Sequence, residues 1–116
     1  MKKRVKTEEL LFKVIVYSID ESIPEWQRIV IYCEEEDRLY VPKSFIPRRA
    51  FKLAEYEQAD MVKCKGKVYV DTRWVMAFLE EYGTEEDVRD LFKFEQSIKK
   101  KAKEKIVVYI QKCAEA

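Results

Sequence analysis

The sequence predicts an α+β domain, and three observations carry that expectation. Residues 10–19, "LLFKVIVYSI", and 28–33, "RIVIYC", are dense in β-branched and aromatic side chains. From residue 72 onward the apolar residues recur at three- and four-residue intervals, the period of a helix with one buried stripe. The order read along the chain is β-β-β-α-β-β-α-α, which largely segregates sheet from helices and so favours an antiparallel sheet over a parallel α/β layout. At 116 residues with 47% hydrophobic composition, the chain suits one domain spanning 1–116 with its own core. Residues 1–7 are expected to form a mobile basic arm.

Each element has a local reason. Residues 10–19 are apolar on both faces and read as a central strand. The stretch 20–26 is a turn region holding one proline, and 28–33 is a second strand. "EEED" at 34–37 is a charged turn leading to a third strand, "RLYV" at 38–41, which completes an antiparallel meander. Pro42 stops that strand. Ser44 is placed to cap a helix over 47–58, with Pro47 in its first turn. A hairpin follows over 61–70. A three-residue loop, Lys65-Gly66-Lys67, would put Val62, Cys64, Val68 and Val70 on one face, whereas a two-residue loop would mix Val62 and Cys64 with Lys67 and Tyr69. The first register keeps the apolar set together and is the one expected. Asp71 caps the next helix, whose buried face is read as Trp74, Val75, Phe78, Leu79 and Tyr82, with Gly83 as a left-handed terminator. Thr84 caps a last helix, with Glu85, Glu86 and Asp87 at its positive end and Val88, Leu91, Phe92, Ile98 and Ala102 as its stripe to about residue 104. The tail 106–113 fits either helix or strand.

Composition excludes several classes of function. The chain has no histidine, and its two glycines, Gly66 and Gly83, form no phosphate- or dinucleotide-binding loop. Three scattered cysteines without a C-x-x-C pair argue against zinc, so no metal and no cofactor are expected. Each cysteine reads as a small buried apolar residue, with a disulfide open as an alternative. The "EEED" carboxylates suit a solvated turn better than a cation site, and no small-molecule substrate or enzymatic activity is evident. No apolar run approaches the length of a membrane span and no secretory signal is visible, so a cytoplasmic protein is expected. Lys and Glu supply most of the 39% charged residues and asparagine is absent, a pattern enriched in thermophiles.

The net charge is +1, but it is blocked along the chain. Residues 43–73 hold eight basic against four acidic residues, whereas 74–98 hold two basic against seven acidic. Within the basic block, Lys63, Lys65, Lys67, Tyr69 and Arg73 cluster at the hairpin, and Arg48, Arg49 and Lys52 on the preceding helix. Lysines suit phosphates as mobile point charges, tyrosine packs on sugars or bases, and arginine can read guanine bidentately. The bland alternatives are a hairpin tip whose lysines deter edge pairing and a solvated helix face balanced by Glu55 and Glu57.

The stretch "MVKCKGKVYVDTRWVMAFLEE" resembles the wing and following helix of excisionase-like and MerR-like winged-helix DNA-binding domains, within 47–79, through Gly66, Lys67, Tyr69, Asp71, Val75, Phe78 and Leu79. That resemblance implies a helix role for Arg48, Arg49 and Lys52 and a wing role for Lys63, Lys65 and Lys67. Strands, not a helix, precede residue 44, and in this the order over 28–103 is similar to Bro/KilA N-terminal phage antirepressor domains. The expected function is a small non-enzymatic nucleic-acid-binding protein, a duplex-DNA-binding regulator of viral or plasmid type. A protein-interaction module, such as a small inhibitor or assembly factor, is the alternative. A homodimer is expected through a seam of Ile98, Ala102, Ile106, Val108, Tyr109 and Ile110, since an apolar run of that kind is rarely left exposed.

Overall fold

The computed structural model describes residues 12–104 in full and the backbone of 108–111 and 114–115. The β-branched runs form β1 (Phe12–Val16), β2 (Ile29–Cys33) and β3 (Arg38–Pro42), an antiparallel meander as the sequence predicts. Next come α1 (Arg48–Tyr56), the hairpin β4 (Met61–Cys64) and β5 (Lys67–Asp71), α2 (Thr72–Tyr82) and α3 (Glu85–Glu104). The tail resolves to strand, as β6 (Val108–Gln111) and β7 (Ala114–Glu115).

The strand order is β6-β1-β2-β3-β5-β4-β7. β6 and β7 occupy opposite ends of that order, yet only two residues separate them in sequence. So short a link spans roughly 10 Å, so the two edges of the sheet must approach each other and the sheet curls. One side of it packs Ile15, Val30, Tyr32, Leu39, Val41 and Val70 against Ile46, Ala50 and Ala54 near and in α1, Val75 of α2, and Ile98 and Ala102 of α3. The other side gathers Phe12, Val14, Ile31, Cys33, Tyr40, Val62, Cys64 and Tyr69. Phe12 meets Tyr40 edge-to-face there at 6.1 Å.

Burial on both sides decides the hairpin register. Cys64 pairs with Lys67, leaving a two-residue loop, Lys65-Gly66, instead of the expected three. Both loop residues have positive φ, 52° and 79°, which is a type I′ turn whose twist matches that of the strands. The three-residue reading assumed one apolar face. Here Met61 and Val70 pack toward the helices while Val62 and Tyr69 pack inside the curl, so neither register strands an apolar set. Consequently Lys63, paired with Val68, and Tyr69, paired with Val62, lie on opposite sides of the hairpin.

The helix ends follow their caps. Asp71 accepts from the Arg73 amide at 2.8 Å and starts α2. Thr84 and Asp87 form a reciprocal capping box, Thr84 Oγ1 accepting at 3.1 Å and Asp87 Oδ2 at 3.0 Å. Two expectations are corrected. Ser44 lies in a short 3₁₀ turn, Lys43–Phe45, and α1 begins three residues beyond it behind Pro47, with no side-chain cap. Gly83 is extended, not left-handed, and its close fit to the Leu79 carbonyl is what excludes a side chain, since a Cβ would lie 2.9 Å from that oxygen. Tyr82 and Phe92 are also more exposed, at 64% and 55%, than the stripes assigned to them require.

Cys33 is a free buried thiol, while Cys64 is disulfide-bonded. Three of the four "EEED" carboxylates, Glu34, Glu36 and Asp37, are held in ion pairs. Glu34 meets Lys13 at 2.8 Å, Glu36 meets Arg38 at 3.5 Å, and Asp37 meets Lys99 at 3.1 Å. The proposed dimer seam is corrected in part. Ile98 and Ala102 are each 1% exposed within the chain's own core, and β6 hydrogen-bonds to β1 of the same chain. Ile106 and the side chains of Val108, Tyr109 and Ile110 lie outside the described residues. Among the described residues no helix is long and apolar enough to cross a membrane.

Candidate nucleic-acid interface

The charges of α1 and α3 contrast in a way that local structure does not require. In α3 the first turn carries Glu85, Glu86 and Asp87 and the last turn Lys101 and Lys103, each favourable to the helix dipole. In α1 the first turn carries no acid and instead begins Arg48-Arg49. Positive side chains there oppose the dipole and add to the field of uncapped amides. Helix stability therefore does not account for these arginines.

Around α1 lie two hollows that share Phe51 and Glu55. The first, of about 480 Å³, is lined by Trp26, Lys43, Ser44, Ile46, Arg48, Phe51, Lys52 and Glu55. The second, of about 550 Å³, is lined by Phe51, Glu55, Gln58, Ala59, Asp60, Met61, Lys63 and Val68. Arg48 and Lys52 of α1 and Lys63 of the hairpin thus line adjoining hollows, with Phe51 shared between them. Two rings in the hollows carry lysines. Lys43 Nζ sits 5.2 Å from the Phe51 centroid and Lys67 Nζ 5.0 Å from that of Trp26. Among the described residues, Lys43, Arg48, Arg49, Lys52, Lys63, Lys65 and Lys67 take part in no ion pair.

Trp26 is fixed by the local fold. Pro24 precedes a 3₁₀ turn, Glu25–Gln27, and the turn is tied down when Tyr17 Oη donates to the Gln27 carbonyl and Tyr69 Oη donates to the Trp26 carbonyl at 3.3 Å. This places Tyr69 as a support. At 1% exposure its ring cannot meet a ligand at the surface, contrary to the contact role expected of it. Burial, and secondarily the Glu25 carboxylate, push its hydroxyl up to about 12, so it stays a neutral donor. Arg73 is exposed but folds onto the buried Asp71 carboxylate at 3.2 Å, so its charge is already partnered. Lys65 stands exposed at the hairpin turn.

The fold therefore brings Arg48, Lys52, Lys63 and Lys67, of the residues read from sequence, to these hollows and their rings, leaves Arg49 exposed on α1, and removes Tyr69 to the core. Sequence reasoning missed Trp26, Lys43 and Ser44 as site residues, and with them Phe51, which packs against the core while lining both hollows. The available signal was the run Pro24-Glu25-Trp26, an aromatic ring in a polar turn that no apolar stripe claims. No protein-family model, no curated protein and no solved structure matches the chain.

Proposed function

We propose that this is a small non-enzymatic nucleic-acid-binding protein that engages phosphates through α1 and the β4–β5 hairpin. One observation carries the reading: a set of cations without carboxylate partners is interleaved with Phe51 and Trp26. Phosphate contacts of that kind supply affinity and orientation, and Arg48 or Arg49 supplies base readout. Duplex DNA is the form that the winged-helix resemblance suggests, and a regulator of viral or plasmid type is the role. Pairing with a second copy, expected of a protein reading two half-sites, uses a surface other than Ile98 and Ala102.

Gel shifts of a duplex and of a single strand at low and moderate salt test the reading. Binding that weakens steeply with salt supports it. Absence of binding at low salt refutes it and favours the second reading, a protein-interaction module. That reading draws on α2, where Trp74 stacks on Phe78 with centroids 5.3 Å apart and Phe78 meets Tyr82, tilted, at 5.0 Å, with Glu80, Glu81, Glu85 and Glu86 exposed at the α2–α3 junction.

A further inference from the structure

Resting on that reading and narrowing it, we infer that the cleft beside α1 takes an unpaired nucleotide. Its base lies against the rings of Trp26 and Phe51, and its phosphate draws off the lysines that now lie on those rings. The rings come from separate segments, a 3₁₀ turn and a helix, yet line one cleft of about 480 Å³, within the range of small-ligand sites. Each is covered by an ammonium group, Lys43 on Phe51 and Lys67 on Trp26, and neither ammonium is held by a carboxylate. An exposed cation–π contact is weak, whereas a phosphate offers a full charge and strong acceptors. A lysine on its flexible stem can turn from ring to phosphate without backbone movement, and the ring face it leaves is then open to a base.

Base-paired nucleotides do not fit this arrangement. In a duplex both faces of each base are covered by neighbours, so only a single strand, an overhang or an extruded base presents a π-face to the cleft. Glu55 lines the same cleft and repels phosphate, which places the phosphate toward the lysines and the base edge toward the carboxylate. The shared chemistry is an unpaired base with a backbone phosphate, and both DNA and RNA provide it.

The test uses tryptophan emission. The chain has two tryptophans, so the Trp74→Phe protein reports on Trp26 alone. It is titrated with oligo(dT), oligo(rU) and a blunt duplex of equal length. The expected result is quenching of Trp26 by oligo(dT), by oligo(rU) or by both, which also states whether the strand is DNA or RNA, with no quenching by the duplex. Phe51→Leu keeps the apolar bulk of a half-buried ring but removes its π-face, and should weaken single-strand binding about tenfold. Lys43→Ala with Lys67→Ala leaves the core untouched and should weaken single-strand binding as well. Duplex binding without Trp26 quenching by either single strand overturns this inference and leaves the nucleic-acid reading standing. Single-strand binding left unchanged by Phe51→Leu overturns it too. No binding of any of the three overturns both.

Discussion

Tyr32 and Tyr69 set the alkaline behaviour of this fold. Burial, before any charge nearby, pushes each hydroxyl up to about 12, with the Asp37 hydrogen bond adding to the effect at Tyr32. A folded-state value raised above the ordinary one of about 10 means that the folded state holds the proton more tightly. The resulting stabilisation is complete below pH 10 and disappears as pH rises toward 12. Phenolate absorbance should accordingly show Tyr32 and Tyr69 among the tyrosines that ionise late in the native protein, since burial raises Tyr17 and Tyr40 as well, and Tyr69→Phe should remove one late component. Ionisation of every tyrosine near 10 without unfolding would contradict the burial described for these rings. A second residue-scale expectation concerns Asp71, 3% exposed, which caps α2 and holds Arg73. Asp71→Ala should lower the stability measured by urea unfolding by about 1–2 kcal/mol, since the first-turn Arg73 amide loses its acceptor and the Arg73 guanidinium its partner.

Among the elements, α1 gives the sharpest separation of stability from function. Replacing Arg48 and Arg49 with Glu puts acids where the helix dipole favours them. Thermal stability should hold or rise, by about 0.3–1 kcal/mol per site, while nucleic-acid affinity falls. If both quantities fell together, the arginines would be structural. The hairpin offers a backbone test. Gly66 has φ 79° with nothing near its missing Cβ, so Gly66→Ala should cost about 1–2 kcal/mol through backbone conformation alone. How far these elements were legible depended on how local their causes are. Asp71, Thr84 and the 3.6-residue stripe fixed the ends of α2 and α3 because caps act over three or four residues. The hairpin register was not legible, because it depends on Tyr69 finding a second buried side that only the curl of the whole sheet creates. Gly83 misled for a related reason: its glycine answers to the Leu79 carbonyl rather than to a left-handed turn. Trp26 joins the site only because a 3₁₀ turn, distant in sequence, is tied to β5 through Tyr69.

At the scale of the molecule, closure of the sheet and segregation of charge are separate achievements of the chain. The tail strand β6 takes the edge of β1, and Ile98 and Ala102 close the core beneath α3. Ile98→Asp should therefore unfold the protein at every concentration, and circular dichroism with sedimentation would show it. A folded monomer from that variant would instead restore Ile98 to a subunit seam. The chain gathers cations on α1 and the hairpin and acids around the α2–α3 junction, and no burial demands that division. The central claim is that the basic cluster exists for phosphate. The most direct measurement is the slope of log affinity against log salt for the wild type and for the triple variant Arg48→Glu, Lys52→Glu, Lys67→Glu. About four phosphate contacts predict a wild-type slope near −3 to −4 on duplex, each lost contact removing about one unit. The account predicts that the triple variant stays folded and loses most of both slope and affinity. A folded variant that binds with the wild-type slope would contradict it.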